Sequence, residues 1–200
     1  MIDYLIKNKF YDKERKEMRY IFASDIHGSA YYCQKLMDCY EASKADKLIL
    51  LGDLLYHGPR NDLPKEYAPK QVITILNKKK EEILAVRGNC DGEVDQMVLE
   101  FPILSDYSLL YDEDIEVFLT HGHHYSPENL PPCRKGSVFA YGHTHIWKAE
   151  RQNGIVICNP GSVAIPKGGN PPTFALYEQG NISIRDLDNK ILAEIAVKAE

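Results

Sequence analysis

The sequence has no Cys-x-x-Cys pair, no internal repeat, no biased tract and no apolar run approaching the roughly 18 residues a membrane span needs. Its cysteines, Cys33, Cys39, Cys90, Cys133 and Cys158, are odd in number and scattered. That pattern argues against a disulfide framework and against a zinc ribbon. The start, Met1 to Glu17, sets lysines around short apolar stretches and lacks a signal-peptide core. Basic charge is also short: 24 Lys and Arg stand against 29 Asp and Glu, a formal net charge of -5. This disfavours a protein that coats nucleic acid, because phosphate backbones reward a basic face. A small phosphorylated substrate stays open, since bound metal ions supply positive charge locally. No membrane is expected, and the default compartment is the reducing cytoplasm.

What is present is an ordinary globular composition, 44% hydrophobic and 26% charged over 200 residues, enough for one domain with a real core. Tyr20–Ser24, Leu48–Leu51 and Ile83–Val86 read as short buried strands. Helical spacing over about 30–43 (Cys33, Leu36, Met37, Tyr40) and over about 70–80 separates them, with the Gly- and Pro-rich surface loop Tyr56–Pro69 between. Alternation of helix and strand favours parallel pairing. The second half reads as strands near Tyr107–Tyr111, Ile115–Thr120, Val138–Tyr141, Ile155–Asn159, Phe174–Tyr177, Ile182–Arg185 and Ile191–Val197. The expected fold is α/β: a single-domain αβ sandwich of two β-sheets flanked by helices, over residues 18–200.

The chemistry lies at the strand ends. Asp25-Ile26-His27-Gly28 follows the first strand, Gly52-Asp53 the second and Gly88-Asn89-Cys90-Asp91 the third. His121-Gly122-His123 closes Ile115–Thr120, and Gly142-His143-Thr144-His145 closes Val138–Tyr141. Ligands bind beyond the carboxyl ends of parallel strands, so five strand ends deliver metal-type side chains to one rim. Residues two apart in an extended segment face the same way, which lets Asp25 and His27 chelate one ion, and His143 and His145 either one ion or, where a loop bend diverts them, two. Carboxylate, imidazole and amide ligands together suit manganese, iron, zinc or nickel, not an all-oxygen calcium site.

In this order the motifs resemble the calcineurin-like metallophosphoesterase superfamily, whose series is Asp-x-His, Gly-Asp, Gly-Asn-x-Asp/Glu, His and Gly-His-x-His. Ala23–Ser29, His57–Asn61, Val86–Asp91, Pro127–Pro131, Asn159–Val163 and Pro166–Pro171 are similar to the small YfcE-type phosphodiesterases within it. The resemblance starts at about Met18. It implies that Asp25, His27, Asp53 and His145 hold one divalent ion and Asp53, Asn89, His121 and His143 a second, with Asp53 bridging. Mn2+ is the expected ion, with Ni2+, Fe2+, Zn2+ or Co2+ as alternatives. The implied reaction is phosphodiester hydrolysis by in-line attack of a hydroxide bridging the two ions, with catalytic roles for Asp53, Asn89, His123 and Cys90.

Other residues carry less. His123 either meets the phosphate or holds His121 in place, and His124 reads as an exposed loop residue. Many relatives place a histidine where this chain has Cys90. The thiol either stands in for that acid or packs beneath Asn89. His57 and Arg60 fit a substrate contact and a locally bonded loop equally well. Asn159-Pro160-Gly161-Ser162 is expected to form a turn closing the site, and Lys78-Lys79-Lys80 to be a solvated helix end. Cys33, Cys39 and Cys158 read as small core residues. The alternatives are a phosphomonoesterase and a non-enzymatic scaffold like the retromer's vacuolar-sorting subunit. The intact ligand set favours the enzyme. The partner expected is a small phosphodiester, with a homo-oligomer left open. Residues 1–17 are an extension whose native status is open, with Met18 the expected natural start.

Overall fold

The three apolar runs of the first half form parallel strands β1 (Arg19–Ala23), β2 (Lys47–Leu50) and β3 (Ile83–Ala85) in the computed structural model, which describes residues 18–198. The expectation for residues 1–17 lies outside the described residues. Between the strands run helices α1 (Ala30–Ser43) and α2 (Pro69–Asn77). Ser29 caps α1 by accepting the Tyr32 N–H, and Pro69 opens α2, where its missing N–H costs nothing. The second helix stops at Asn77, short of the expected Lys80. Asn77 accepts the Glu100 N–H and donates to Val98 O, both at 2.9 Å, which diverts the chain there. Beyond it Lys78 is exposed, while Lys79 and Lys80 turn to acids, Lys79 lying 3.5 Å from Glu82 and 3.7 Å from Glu41 and Lys80 pairing with Glu100.

Antiparallel β9 (Thr173–Glu178), β10 (Asn181–Asp186) and β11 (Ile191–Ala196) complete a six-stranded sheet ordered β11-β10-β9-β1-β2-β3. The second sheet has five strands, ordered β4-β5-β6-β8-β7. Its centre, β5 (Ile115–Thr120), β6 (Val138–Ala140) and β8 (Ile155–Asn159), is parallel. Its edges, β4 (Tyr107–Asp112) and β7 (Lys148–Gln152), run antiparallel.

The alternation of side chains along each strand builds two cores. Ile21, Ala23, Leu48 and Leu50 face Cys33, Leu36, Met37 and Tyr40 of α1 and Val72 and Leu76 of α2. Tyr20, Phe22, Ile49 and Leu51 face the other way, onto Val117, Leu119, Val138, Ala140, Val156 and Cys158 of the second sheet. The sandwich of two sheets is as expected. The helices α1 and α2, however, cover only the six-stranded sheet. Phe118, Phe139, Tyr141 and Ile157 on the outer face of the other are covered by Tyr125, Leu130 and Cys133 from a loop.

Two elements escaped the sequence pattern. The edge strand β7 reads Lys-Ala-Glu-Arg-Gln and buries none of its residues. Helix α3 (Glu93–Gln96) is one turn long with no buried side chain. Apolar periodicity is silent for both.

Candidate metal centre

The parallel strands of both sheets end at one rim, and each of the motif residues lies just past such an end. The local geometry differs from the expected extended chelate. Asp25 (φ 58°), His27 (φ 48°), Asp53 (φ 57°), His143 (φ 66°) and His145 (φ 60°) all adopt the left-handed conformation. Side chains rarely tolerate it, and such strain concentrates at functional sites. Asp-x-His and His-x-His pairs thus converge through a tight coil, not through strand alternation.

That coil is held by backbone bonds. Asp25 N–H donates to Gly52 O at 3.1 Å and His27 N–H to Asp53 O at 2.9 Å, tying the loop after β1 to the loop after β2. The loop after β3 approaches so closely that a Cβ on Gly88 would lie 2.2 Å from both Asp53 N and Asp53 Oδ1. Only glycine fits there. Asn159 braces the histidine loop after β6 by donating to Gly142 O at 2.8 Å and Thr144 Oγ1 at 3.0 Å. Ser162 donates to Asp25 O at 2.9 Å, so the expected closing turn touches the loop after β1.

Three histidines are oriented in the same way. Nδ1 of His27 lies 2.7 Å from Tyr56 O, Nδ1 of His121 2.6 Å from Leu51 O, and Nδ1 of His145 2.8 Å from Ile165 O. A carbonyl only accepts, so each Nδ1 carries a proton and each ring turns its Nε2 inward. His145 Nε2 is 3.1 Å and His27 Nε2 3.5 Å from Asp25 Oδ1. His121 Nε2 is 3.4 Å from Asp53 Oδ2 and 3.1 Å from Asn89 Oδ1. His143 lies beside them, its ring centroid 5.1 Å from that of His121.

The buried Oδ1 of Asp25 accepts no hydrogen bond. Ligand atoms of Asp25, His27 and His145, of Asp25, Asp53 and His121, and of His27, Asp53 and Cys90 each gather within 4.8 Å of one another. Buried carboxylates facing inward-turned imidazole nitrogens fit divalent cations, which would take the place of any proton held there.

The electrostatics agree. Burial opposes charge on Asp25, but His145 and His27 outweigh it and hold the carboxyl well below its ordinary range. Asp53 is lowered as well, with His121 overcoming burial. Burial likewise opposes a proton on His121, yet Asp53 and Asp25 push its pKa up to about 9.

A cavity of about 330 Å³ opens on this cluster, lined by His27, Asp53, Asn89, Cys90, His143 and His145 together with Gly58–Asn61 and Lys167. Asp25 and His121 lie fully buried beneath it. Cys90 therefore faces the cavity instead of packing beneath Asn89; Asn89 Nδ2 donates to its sulfur at 3.2 Å. His123 does not line the cavity. Its ring packs edge-on to His121 at 5.4 Å and against exposed His124 at 4.0 Å. Burial, then the neighbouring histidines, depress its pKa to about 4. A larger hollow of about 550 Å³ by Met18, Asp112 and Tyr177 contains none of the strand-end residues.

Residues 18–181 match the calcineurin-like phosphoesterase superfamily domain. The chain belongs to that superfamily. Within the calcineurin-like phosphoesterases, it is 46% identical over 181 residues to Phosphodiesterase YfcE of Escherichia coli K12, covering 90% of this chain and 98% of YfcE. The solved structure of that phosphoesterase superposes with a TM-score of 0.89 over 90% of this chain and 100% of YfcE. Vps29 of Entamoeba histolytica, solved with Zn2+, shares the fold alone, at 18% identity and a TM-score of 0.57 over 90% of this chain and 100% of its own.

The sequence reading passed over two contributors. Asp91 and Lys167 both stand in stretches it singled out, yet neither was given a task. Nothing in a glycine-rich turn signals that an acid there is buried, and the lysine reaches the cavity only through the path of the loop after β8.

Proposed function

We propose that this chain is a metal-dependent phosphodiesterase holding two divalent ions. Asp25, His27, Asp53 and His145 hold one; Asp53, Asn89, His121 and His143 hold the other, with Asp53 shared. The observation that carries this reading is the buried Oδ1 of Asp25, which accepts no hydrogen bond and faces the inward-turned Nε2 atoms of His145 and His27. Manganese is the ion we assign, over nickel, iron, zinc or cobalt, which the same donor set also suits.

Divalent ions in such a site supply Lewis acidity and lower the pKa of a coordinated water toward neutrality. The chain supplies orientation. The backbone carbonyls of Tyr56, Leu51 and Ile165 fix the three imidazole rings, so binding costs little reorganisation. Cys90 N–H donates to Asp53 Oδ1 at 2.7 Å, which aims the carboxylate. Asn89 and His143, on the open side, face the incoming diester. His123 acts through His121, steadying that ring from behind, and is neutral above about pH 4.

The 46% identity to a protein named phosphodiesterase supports a small diester as substrate. The complete ligand set supports an enzyme over a scaffold of the same fold. No described helix is long and apolar enough to cross a membrane. All five cysteines are free thiols, which suits the reducing cytoplasm where we place the protein.

The test is to strip the protein of metal, restore Mn2+, Ni2+, Fe2+, Zn2+ or Co2+ singly, and follow bis(p-nitrophenyl) phosphate and p-nitrophenyl phosphate. The diester should be hydrolysed faster, most strongly with Mn2+, and activity should vanish on chelation. Equal activity of metal-free protein, or preference for the monoester, would overturn the reading.

A further inference from the structure

The cavity over the cluster carries two cations that the proposed metal chemistry does not use. Arg60 and Lys167 both line it, and both are exposed. Among the described residues neither side chain forms an ion pair or hydrogen bond. In a chain with a net charge of -5, cations left unpaired at the mouth of an anion-processing site stand out from the 26% of charged residues on an otherwise mixed surface.

Each is delivered by a braced loop. Asn61 folds back on the Arg60 loop, its Nδ2 donating to His57 O at 2.8 Å. Gly58, in the left-handed region at φ 79°, lies so close to the site that a Cβ there would touch Cys90 Sγ at 3.4 Å. The ring of His57 packs edge-on to Tyr67 at 5.2 Å. On the other loop, Lys167 N–H donates to His145 O at 3.0 Å, and Asn170 Nδ2 donates to Lys167 O at 2.8 Å. The Arg60 loop thus passes Cys90 at Gly58, while Lys167 is anchored to the backbone of a proposed ligand. These bonds brace both loop backbones, which lowers the cost of ordering them on binding.

Resting on the phosphodiesterase reading, we propose that Arg60 and Lys167 form a second anion subsite that selects diesters carrying a phosphomonoester on one arm. The scissile diester bears a single negative charge and is served by the ions. A phosphomonoester on the arm adds close to two, which a guanidinium fork and an ammonium together neutralise. A carboxylate would match only one of them. Arg60 and Lys167 are then specificity-determining residues, with no part in the bond-breaking step.

Two diesters with the same leaving group separate the claims: thymidine 5′-(p-nitrophenyl phosphate) and the same compound phosphorylated on its 3′-oxygen. With manganese-loaded enzyme, the added phosphate should lower KM about tenfold at little change in kcat. Arg60→Ala and Lys167→Ala should each remove most of that advantage, while Arg60→Lys keeps part of it. As a readout independent of turnover, calorimetric binding of thymidine 3′,5′-bisphosphate should weaken about tenfold in each alanine variant, and that of thymidine 5′-monophosphate should change little. Equal KM for the two diesters in the parent enzyme, or equal losses on both in the variants, would overturn the subsite. If neither diester is hydrolysed while bisphosphate binding still depends on Arg60 and Lys167, the diesterase reading fails and the anion subsite stands.

Discussion

The carboxylate of Asp91 holds the backbone of Asp53, accepting its N–H at 2.8 Å. The same carboxylate accepts Leu54 N–H at 2.9 Å and Gly88 N–H at 2.8 Å. One buried acid therefore locks the loop after β2 to the loop after β3. In return, Cys90 N–H donates to Asp53 Oδ1. Burial raises the pKa of Asp91, and the N–H groups of Leu54, Gly88 and Asp53 counter it. The left-handed backbone of Asp53 is held in place by this lock.

Replacing Asp91 with Ala strands three buried N–H donors. At about 1–3 kcal/mol for each unsatisfied group, the loss of folding stability should be on the order of 3 kcal/mol or more. Asp91→Asn keeps one acceptor oxygen but sets an amide N–H₂ against the remaining donors, so it should fall between. Urea unfolding of the metal-free proteins checks the order. An Asp91→Ala protein as stable as the parent would mean the lock is not a source of stability.

Asp53→Ala should remove turnover by at least about a thousandfold and release both ions, more severely than loss of any other ligand. Only Asp53 is assigned to both metals. Metal analysis of purified variants distinguishes it from His27→Ala or His143→Ala, which should retain one ion. Two tightly bound ions in Asp53→Ala would sink the shared-ligand assignment.

The strand ends were legible because each ligand motif directly follows a short apolar run, and apolar runs are what sequence shows best. The extent of helix α1 was readable, since Cys33, Leu36, Met37 and Tyr40 mark its buried face. Convergence was legible; its cause was not. The left-handed turns at Asp25, His27, His143 and His145 have no signature in residues that are not glycine. The reach of Asp91 and Lys167 likewise depends on tertiary contacts, the first between two loops and the second with the backbone of His145. Strand β7 was hidden for a different reason: a charged edge strand protects a sheet by not looking like one.

The raised pKa of His121 gives opposite pH slopes to the stability of metal-free protein and to the gain that metal confers on it. In metal-free protein the proton on His121 is favoured by Asp53 and Asp25 up to about pH 9. The stabilisation this brings is complete below the unfolded value of about 6.5 and is lost as pH rises through about 9. A bound ion must displace that proton, so metal affinity rises over the same window. The Tm of metal-free protein should therefore fall between pH 7 and 9, while the extra Tm conferred by excess Mn2+ should grow. A metal-conferred gain that shrinks over this range would show that no proton is displaced.

Cys90 supplies the last expectation. Its thiol faces the cavity, yet burial and then the Asp53 carboxylate push its pKa up to about 12. Even at its ordinary pKa of about 8.5, a thiol keeps its proton near pH 7 and is a poorer donor to a departing oxygen than an imidazolium near 6.5. The leaving group must then depart largely unaided. Aryl phosphodiesters, whose leaving groups are already weakly basic, should be hydrolysed much faster than alkyl diesters. Cys90→His should narrow that gap by helping the poor leaving groups most. The comparison to make is kcat against leaving-group pKa for the parent, Cys90→Ala and Cys90→His. If Cys90→His gives the parent's slope, a proton donor at this position does not limit the reaction, and the leaving oxygen takes its proton elsewhere.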